Sequence, residues 1–170
     1  MEGNFRKNLI VKDKLSYAKG EKPKVWCILC AIRDNDSSVK SLEIYRGRNF
    51  IVTLNLYPYN PGHVMIFPIR HIKDVRDFTD DEWKELKVLQ DAVLSMLQNE
   101  YGAESFNIGV NQGLFSGASI EHLHYHLVPR YKNEIGVVEI LSGTKIIVES
   151  PDKTLIRLKQ SIKAFVSDED

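Results

Sequence analysis

The alternation of apolar and polar residues predicts a β-hairpin in the first half of the chain. Residues 42–45 lead through Arg46-Gly47-Arg48-Asn49 into residues 50–56, and a glycine at the link is typical of a hairpin turn. Because successive side chains of a strand point to opposite faces, four apolar residues of the second strand share one face: Phe50, Val52, Leu54 and Leu56.

Further strands follow the same pattern. Residues 63–67 form a strand that Pro68 ends, since proline cannot donate a hydrogen bond to a ladder. Residues 106–111 alternate apolar with polar side chains, which predicts a half-buried strand. Another strand is predicted over residues 122–128, and a weaker one over residues 145–148.

The most regular helical pattern covers about residues 80–100. Thr79 with Glu82 forms a capping box at its start, and Gly102 is placed to end it. The apolar stripe of this helix consists of Trp83, Leu86, Leu89, Val93, Met96 and Leu97. A second helix is predicted at about residues 152–165. The pattern therefore predicts an α+β fold: an antiparallel sheet of about five strands with one long helix and a C-terminal helix.

Composition narrows the class of protein without identifying it. A chain of 170 residues with 43% hydrophobic and 27% charged residues fits one globular domain, with residues 1–24 as an N-terminal arm. The formal charge of zero indicates neither a nucleic-acid footprint nor a membrane-surface one. The N-terminus has no apolar signal region, and no run approaches a membrane span. A cytoplasmic protein is the simplest interpretation.

The segment that carries chemistry is a row of alternating histidines. On a strand, His122, His124 and His126 would emerge from one face, while the residues between them pack inward. Packing needs do not align three of a protein's five histidines in this way. A neutral imidazole can attack phosphorus, which divides a difficult displacement into two easier ones, and a second can assist the leaving oxygen.

The loop before this row supports phosphate binding. Gly113 and Gly117 would let backbone N–H groups approach phosphate oxygens, and Ser116 and Ser119 add hydroxyl donors. Such a loop is a weak signal alone. Beside the histidine row it becomes a candidate oxyanion cradle.

The only two cysteines, Cys27 and Cys30, are spaced C-x-x-C. A disulfide framework is unexpected with so few cysteines. The residues themselves leave two interpretations open, a metal site and a redox pair, although no thioredoxin-like pattern surrounds them.

The chain resembles the histidine triad (HIT) family, whose motif is His-φ-His-φ-His-φ-φ with φ an apolar residue. Residues 122–128, His-Leu-His-Tyr-His-Leu-Val, fit this motif in full, and the resemblance runs from about Cys27 to Arg130. Residues 55–63, Asn-Leu-Tyr-Pro-Tyr-Asn-Pro-Gly-His, and a C-terminal extension over residues 131–170 resemble the branch that cleaves dinucleoside polyphosphates such as Ap3A and Ap4A.

The resemblance implies roles for individual residues. His124 would be the nucleophile on the α-phosphorus, and His126 would assist the departure of the leaving group. Four further residues would bind substrate, with Gly117 in the phosphate loop beside them: Asn55 and His63 at the nucleoside, Asn111 near the bridging phosphates, and Ser119 on the α-phosphate. A strand-end turn role for Asn55, and a structural role for His63, stay open.

The resemblance also gives the cysteine pair a role. Some family members hold a structural Zn²⁺ with such a pair, a histidine after the Pro-Gly-His strand and the first triad histidine. The matching residues are Cys27, Cys30, His71 and His122, and two buried free thiols with an exposed His71 remain the alternative. Family members form homodimers, and no organic cofactor is expected.

Two other functions compete with dinucleotide cleavage. One is a purine nucleoside phosphoramidase of the mononucleotide branch. The other is a non-catalytic protein that binds a metal through the three histidines, or a nucleotide without turnover. The sequence does not separate a hydrolase from a phosphorylase, and it does not give the preferred base or the length of the phosphate chain.

Overall fold

The computed structural model of the chain describes residues 23–132 and 149–166. In chain order the helices and strands are α1 (Ile28–Arg33), β1 (Glu43–Arg46), β2 (Phe50–Leu54), β3 (Val64–Pro68), α2 (Asp80–Tyr101), β4 (Ser105–Val110), β5 (Tyr125–Arg130) and α3 (Pro151–Ser161). Short 3₁₀ turns occur at Val75–Asp77, Leu114–Ser116 and Ile162–Ala164.

The strands form one antiparallel sheet in the order β1-β2-β3-β5-β4. Strand β4 lies at one edge, so one side of its backbone has no partner strand within the described residues. This sheet, the long helix α2 and the C-terminal helix α3 confirm the predicted α+β fold of about five strands. The strand predicted over residues 145–148 lies outside the described residues.

Helix α2 covers one face of the sheet and carries the main core. Its predicted start is confirmed, because the Thr79 side chain accepts from the Glu82 N–H while the Glu82 carboxylate accepts from the Thr79 N–H at 2.8 Å. Gly102 ends the helix with a left-handed φ of 61°. The buried stripe runs through Leu86, Leu89, Val93, Met96 and Leu97.

The assignment of Trp83 to that buried stripe was wrong. Its side chain is 43% exposed. Phe78, which precedes the helix, occupies the core beneath it, and the two rings meet edge to face with centroids 5.0 Å apart. The helix therefore begins to pack one turn later than the pattern indicates.

The second face of the sheet is covered by α1, which the sequence analysis did not predict. Leu29 and Cys30 of α1 pack against Ile51 of β2 and Phe67 of β3 in a separate cluster of buried residues. Every residue of β2 and of β3 is buried for this reason. The cysteine pair thus sits inside the fold, at the start of α1, rather than on a surface arm.

The strand predicted over residues 122–128 begins later than expected, at Tyr125, and runs to Arg130. The strand starts at Tyr125 because its pairing with both neighbours ends there. Tyr125 is paired with Ile66 of β3 and with Val110 of β4, and no described residue just before it is paired with either strand. Leu123 instead donates its N–H to the carbonyl of Ile72, outside the sheet, at 2.8 Å. His122 and His124 therefore lie before the strand, outside its ladder.

Helix α3 completes the main core. Leu158, and Ile162 just after the helix, are buried against the cluster beneath α2. The Glu149 carboxylate fixes the start of this region, because it accepts hydrogen bonds from the Tyr101 hydroxyl at 2.9 Å and from the Thr154 hydroxyl at 2.8 Å. No described helix combines the length and the apolar character needed to cross a membrane.

An ion pair between buried Glu82 and half-exposed Arg70 supports the start of α2. The Glu82 side chain is 3% exposed and pairs with Arg70 at 2.8 Å. This pairing, together with the hydrogen bonds from Thr79, lowers the Glu82 pKa from 4.5 to about 2. The folded protein therefore holds this carboxylate in its charged form more strongly than the unfolded chain does.

We expect Glu82→Gln to destabilise the protein by about 2 kcal/mol at pH 7, an effect that shrinks in acid. Because the folded-state pKa is the lower one, the stabilisation is complete above pH 4.5 and is lost as the pH falls toward about 2. Urea unfolding of both proteins between pH 7 and pH ~3.5 measures the difference. Asp81→Asn, at an exposed neighbouring carboxylate, is the control and should change stability much less. A pH-independent difference for Glu82→Gln would contradict the expectation.

Candidate active site and metal-ligand group

Three histidines in or just before the neighbouring strands β3 and β5 meet on the face of the sheet that α1 partly covers. His63 immediately precedes β3, and its Nε2 lies 3.0 Å from Nδ1 of His126 on β5. The ring of His124 lies beside that of His126, with centroids 4.8 Å apart at 73°. His63, His124 and His126 thus form one cluster, which we call the histidine cluster.

The hydrogen bonds of His124 fix its protonation pattern. Its Nδ1 lies 2.8 Å from the backbone carbonyl of His122, and a carbonyl can only accept, so Nδ1 carries the proton. In a neutral ring the other nitrogen, Nε2, then presents a lone pair, and it makes no hydrogen bond within the described residues. This is the form that an imidazole nucleophile requires.

The hydrogen bonds of His126 assign it the opposite form. The Tyr59 N–H donates to Nδ1 of His63 at 3.1 Å, so the neutral His63 ring carries its proton on Nε2. Of the two described contacts of Nε2, Nδ1 of His126 is the shorter and receives that proton, whereas the Asn55 amide nitrogen lies farther away at 3.4 Å. His126 therefore keeps its proton on Nε2, where it can donate to a ligand.

Burial holds these rings in their neutral state. The His124 side chain is 4% exposed, and burial lowers its pKa below the ordinary value of 6.5. Burial, with a smaller contribution from the nearby His124, lowers the pKa of His126 to about 4. Neutral imidazole is accordingly the dominant form of both at neutral pH.

A cleft of about 450 Å³ opens beside His126, over the sheet surface of β4 and β5. Asn107, Asn111, His126 and Arg130 are among its lining residues. Asn55 and His63 are not among its lining residues; the side-chain oxygen Oδ1 of Asn55 accepts a hydrogen bond from the Tyr57 N–H at 2.9 Å, within the link before β3. Of the predicted substrate-binding residues, the structure thus brings Asn111 to the cleft and His63 to the histidine cluster.

The glycine and serine loop lies apart from this cleft. Gly117 has a left-handed φ of 86° and ends the 3₁₀ turn Leu114–Ser116, where the Ser116 hydroxyl donates to the Gly113 carbonyl at 2.7 Å. Ser119 is exposed and lines a different cavity, beside Cys27 and His122. The phosphate roles predicted for Gly117 and Ser119 remain predictions.

A second cluster brings together Cys27, Cys30, His71 and His122, the set that the resemblance implied. One ligand atom of each lies within 4.8 Å of all the others. The Cys30 sulfur is 3.3 Å from Nδ1 of His71 and 3.5 Å from Nδ1 of His122. Without a cation, burial and the neighbouring thiol raise the Cys30 pKa above its ordinary value. Two thiols and two imidazoles this close, inside the fold, fit a metal ion.

His122 connects the two clusters rather than joining the other two triad histidines. Its ring Nε2 donates to the carbonyl of Pro68 at 2.9 Å, which leaves Nδ1 to face the cysteines. The expectation that all three triad residues stand on one strand was wrong, because His122 and His124 precede β5. The His122 ring still lies on the α1 side of the sheet, as His126 does, and its centroid is 5.7 Å from that of Phe67.

Two contributions to the site were not predicted. The first is the backbone N–H of Tyr59, which sets the protonation of His63 and through it that of His126. The second is Gln112, whose side chain accepts from the Val75 N–H and donates to Asp74, and so holds the start of the loop. Neither contact has a sequence signal, because both join segments that meet only in the folded chain.

We expect nitrogen NMR at pH 7 to find a proton on Nδ1 of His124 and on Nε2 of His126. The physical reason is that a carbonyl accepts from the first ring, while His63 donates to the second. Long-range ¹H–¹⁵N correlation spectra of the protein distinguish the two forms directly. His63→Ala serves as the comparison, since it should release the His126 preference and leave that of His124 intact. Two identical ring forms in the unmodified protein would contradict the assignment.

Comparison with known proteins places these clusters in a family. The HIT domain family model matches residues 36–133. The chain is 38% identical over 112 residues to the AP-4-A phosphorylase of Mycobacterium tuberculosis, covering 65% of this chain and 57% of that protein. It is 32% identical over 94 residues to the asymmetrical bis(5'-nucleosyl)-tetraphosphatase of Schizosaccharomyces pombe, covering 55% of this chain and 52% of that protein.

The chain thus spans about half the length of the curated relatives it matches. Among solved structures, a Zn-bound histidine triad family protein from Mycobacterium smegmatis superposes with a TM-score of 0.67 at 20% identity, covering 82% of this chain and 94% of that one. That likeness supports the fold. Because the family model covers more than half of the residues and includes the histidine cluster, the chain belongs to the HIT domain family.

Proposed function

We propose that this protein cleaves dinucleoside polyphosphates such as Ap4A through a covalent nucleotidyl-histidine intermediate, as a phosphorylase or a hydrolase. The observation that carries the proposal is the hydrogen-bond geometry of two adjacent rings, which assigns a lone pair to Nε2 of His124 and a donor to Nε2 of His126. The similarity to an AP-4-A phosphorylase and to a bis(5'-nucleosyl)-tetraphosphatase supports the substrate class.

In the first step, Nε2 of His124 forms a bond to the α-phosphorus, and the bond from that phosphorus to the bridging oxygen breaks. The electron pair leaves with the oxygen, whose charge is stabilised by the N–H of His126. The His124 ring becomes a cation. The His122 carbonyl oxygen, which lies 2.8 Å from Nδ1 and accepts a hydrogen bond from it, stabilises that charge. His126 thus needs no net loss of its proton.

In the second step, water or inorganic phosphate attacks the same phosphorus. The bond to His124 breaks, its electron pair returns to Nε2, and the proton of the attacking group passes to solvent. Asn111 would position the phosphates from its place in the cleft. Within the same proposal, Gly117 and Ser119 bind the α-phosphate, and Asn55 and His63 line the nucleoside site.

We also propose that Cys27, Cys30, His71 and His122 hold a structural Zn²⁺. In a tetrahedron with zinc–sulfur and zinc–nitrogen bonds of about 2.3 and 2.0 Å, sulfur and nitrogen ligands lie about 3.5 Å apart. Three of the four sulfur-to-nitrogen pairs here are separated by 3.3, 3.5 and 3.6 Å. The Pro68 carbonyl orients the His122 ring, as outer partners of metal-bound histidines do. Zinc would supply a cross-link between α1 and the approach to β5.

Several broader features belong to this proposal. Residues 1–170 form a single HIT domain with the arm and the extension described above, and the protein is a cytoplasmic homodimer. The unpaired edge of β4, with Ile108 47% exposed, supports a contact between two copies. Cys27 and Cys30 form no disulfide with each other, which supports a reducing compartment.

We expect His124→Ala to lower kcat/KM for Ap4A by more than about 10³-fold, because the nucleophile is lost. Tyr125→Phe, at the next residue, is the control and should keep most of the activity. The products separate the two reactions: ADP with ATP formed only when phosphate is present means a phosphorylase, and cleavage by water alone means a hydrolase.

A covalent adduct on His124, trapped with labelled Ap4A and located by mass spectrometry, would accompany that activity. Full activity of His124→Ala would contradict the mechanism. Cleavage of adenosine phosphoramidate, with no turnover of any dinucleotide, would move the protein to the mononucleotide branch.

We expect the purified protein to contain about one zinc ion per chain, which Cys27→Ala loses and His124→Ala retains. The reason is that Cys27 lies in the cysteine and histidine group, whereas His124 lies in the histidine cluster. Elemental analysis measures the zinc, and thermal unfolding should show a lower Tm for Cys27→Ala alone. Loss of the metal in His124→Ala would favour a metal bound by the three triad histidines.

A further inference from the structure

We infer that Gly109 keeps open the part of the cleft that receives the leaving nucleotide, and so determines which leaving groups the site accepts. This inference rests on the proposed function and adds to it a residue that selects substrate by size.

Nothing in the backbone requires a glycine at position 109. Its φ lies outside the left-handed region that favours glycine, and a β-carbon built there would meet no atom within 4 Å among the described residues. Gly47 and Gly62 differ, because a β-carbon would lie 2.4 Å from the Glu85 carboxylate at the first and 3.1 Å from Tyr101 at the second. Glycine inside a strand lowers stability and often marks a close approach by a ligand. We therefore take the open space at Gly109 as the place where a ligand lies.

The sheet register places this space next to His126. Gly109 of β4 pairs directly with His126 of β5. Directly opposed side chains in an antiparallel pair have β-carbons about 5 Å apart, so any side chain at position 109 would stand beside the His126 ring. In the proposed mechanism, that ring donates to the oxygen of the leaving group. A side chain at 109 would thus meet the leaving group and not the nucleoside on His124.

The cleft that Gly109 helps to line suits a large anionic leaving group. Its volume of about 450 Å³ exceeds the needs of a single phosphate and is in the range of small-molecule sites. Arg130 contributes a positive charge at the cleft, and its guanidinium donates to the Asn107 side chain at 3.1 Å. No carboxylate is among the cleft residues within the described chain. A nucleoside polyphosphate, the second half of a dinucleotide, matches this size and charge.

The test compares Gly109→Val with Ser105→Val. Ser105 is exposed on the same face of β4, four residues away and outside the cleft, so it receives the same bulk in the same strand. For each protein we would measure kcat/KM on Ap4A, the Kd for AMP, the Tm and the mass in solution. AMP is the informative ligand because it occupies the site without any leaving group.

We expect Gly109→Val to lower kcat/KM on Ap4A by roughly tenfold or more, with the Kd for AMP changed less than about twofold. Gly109→Ala should give an intermediate loss, and it replaces the valine variant if that variant fails to fold. Ser105→Val should resemble the unmodified protein in both measurements. The Tm should be equal or higher in all three variants, since each replaces a residue with one that favours a strand more.

Three results would overturn the inference. Unchanged kcat/KM in both Gly109 variants would show that the space is not used, and an equal weakening of AMP binding would place the effect at the nucleoside. A change of mass in solution for the Gly109 variants would mean that the space receives a strand of a second copy. If the unmodified protein binds AMP but does not cleave Ap4A, the proposed function fails first, and this inference falls with it.

Discussion

The arrangement of this protein depends on the bonds of one residue, His122. Its ring Nδ1 faces the cysteines of α1, its Nε2 donates to the carbonyl where β3 ends, and its backbone carbonyl accepts the proton of His124. These three bonds join the helix, the sheet and the histidine cluster within one residue. A displacement of α1 would therefore shift His124 through His122, without direct contact between α1 and the His124 ring.

The histidine cluster obtains its asymmetry from backbone groups. His124 and His126 are chemically identical side chains two residues apart, and both are buried enough to stay neutral. A carbonyl acts on the first, while the Tyr59 N–H acts on the second through His63. Because rigid peptide groups set both protonation states, the difference between the rings exists before any ligand binds.

Elements whose determinants lie close together in sequence could be predicted. Helix α2 carries its capping box, its apolar stripe and its terminal glycine within one segment, and both ends agree with the prediction to within one residue. The β1–β2 hairpin and α3 follow the same logic. The start of β5 could not be predicted from the alternating pattern, because the alternation extends back to His122. The pairing of β5 with β3 and β4, in contrast, begins only at Tyr125. Helix α1, with six residues, is stabilised by packing on the sheet and has too little sequence to signal itself.

The site residues also divide into those with a local sequence signal and those set by contacts between distant segments. Alternation identified the histidines, and the family resemblance identified the cysteine and histidine group, because these signals are residue types at fixed spacings. Gly109 was passed over as one small residue of an alternating strand, since its significance lies in the register that sets it opposite His126. Contacts between distant segments, such as that of Asn60 with the carbonyl of Pro129 at 2.7 Å, also have no trace in the pattern.

The buried positions of α1 and α3 bear on how the family segment should be regarded. The matched region, residues 36–133, excludes Cys27 and Cys30 on one side and Leu158 and Ile162 on the other. An excised piece with those limits would expose Phe67 of one core cluster and leave holes beneath α2 in the other. The packed core is thus wider than the matched segment, and the buried flanking residues are interior parts of the molecule.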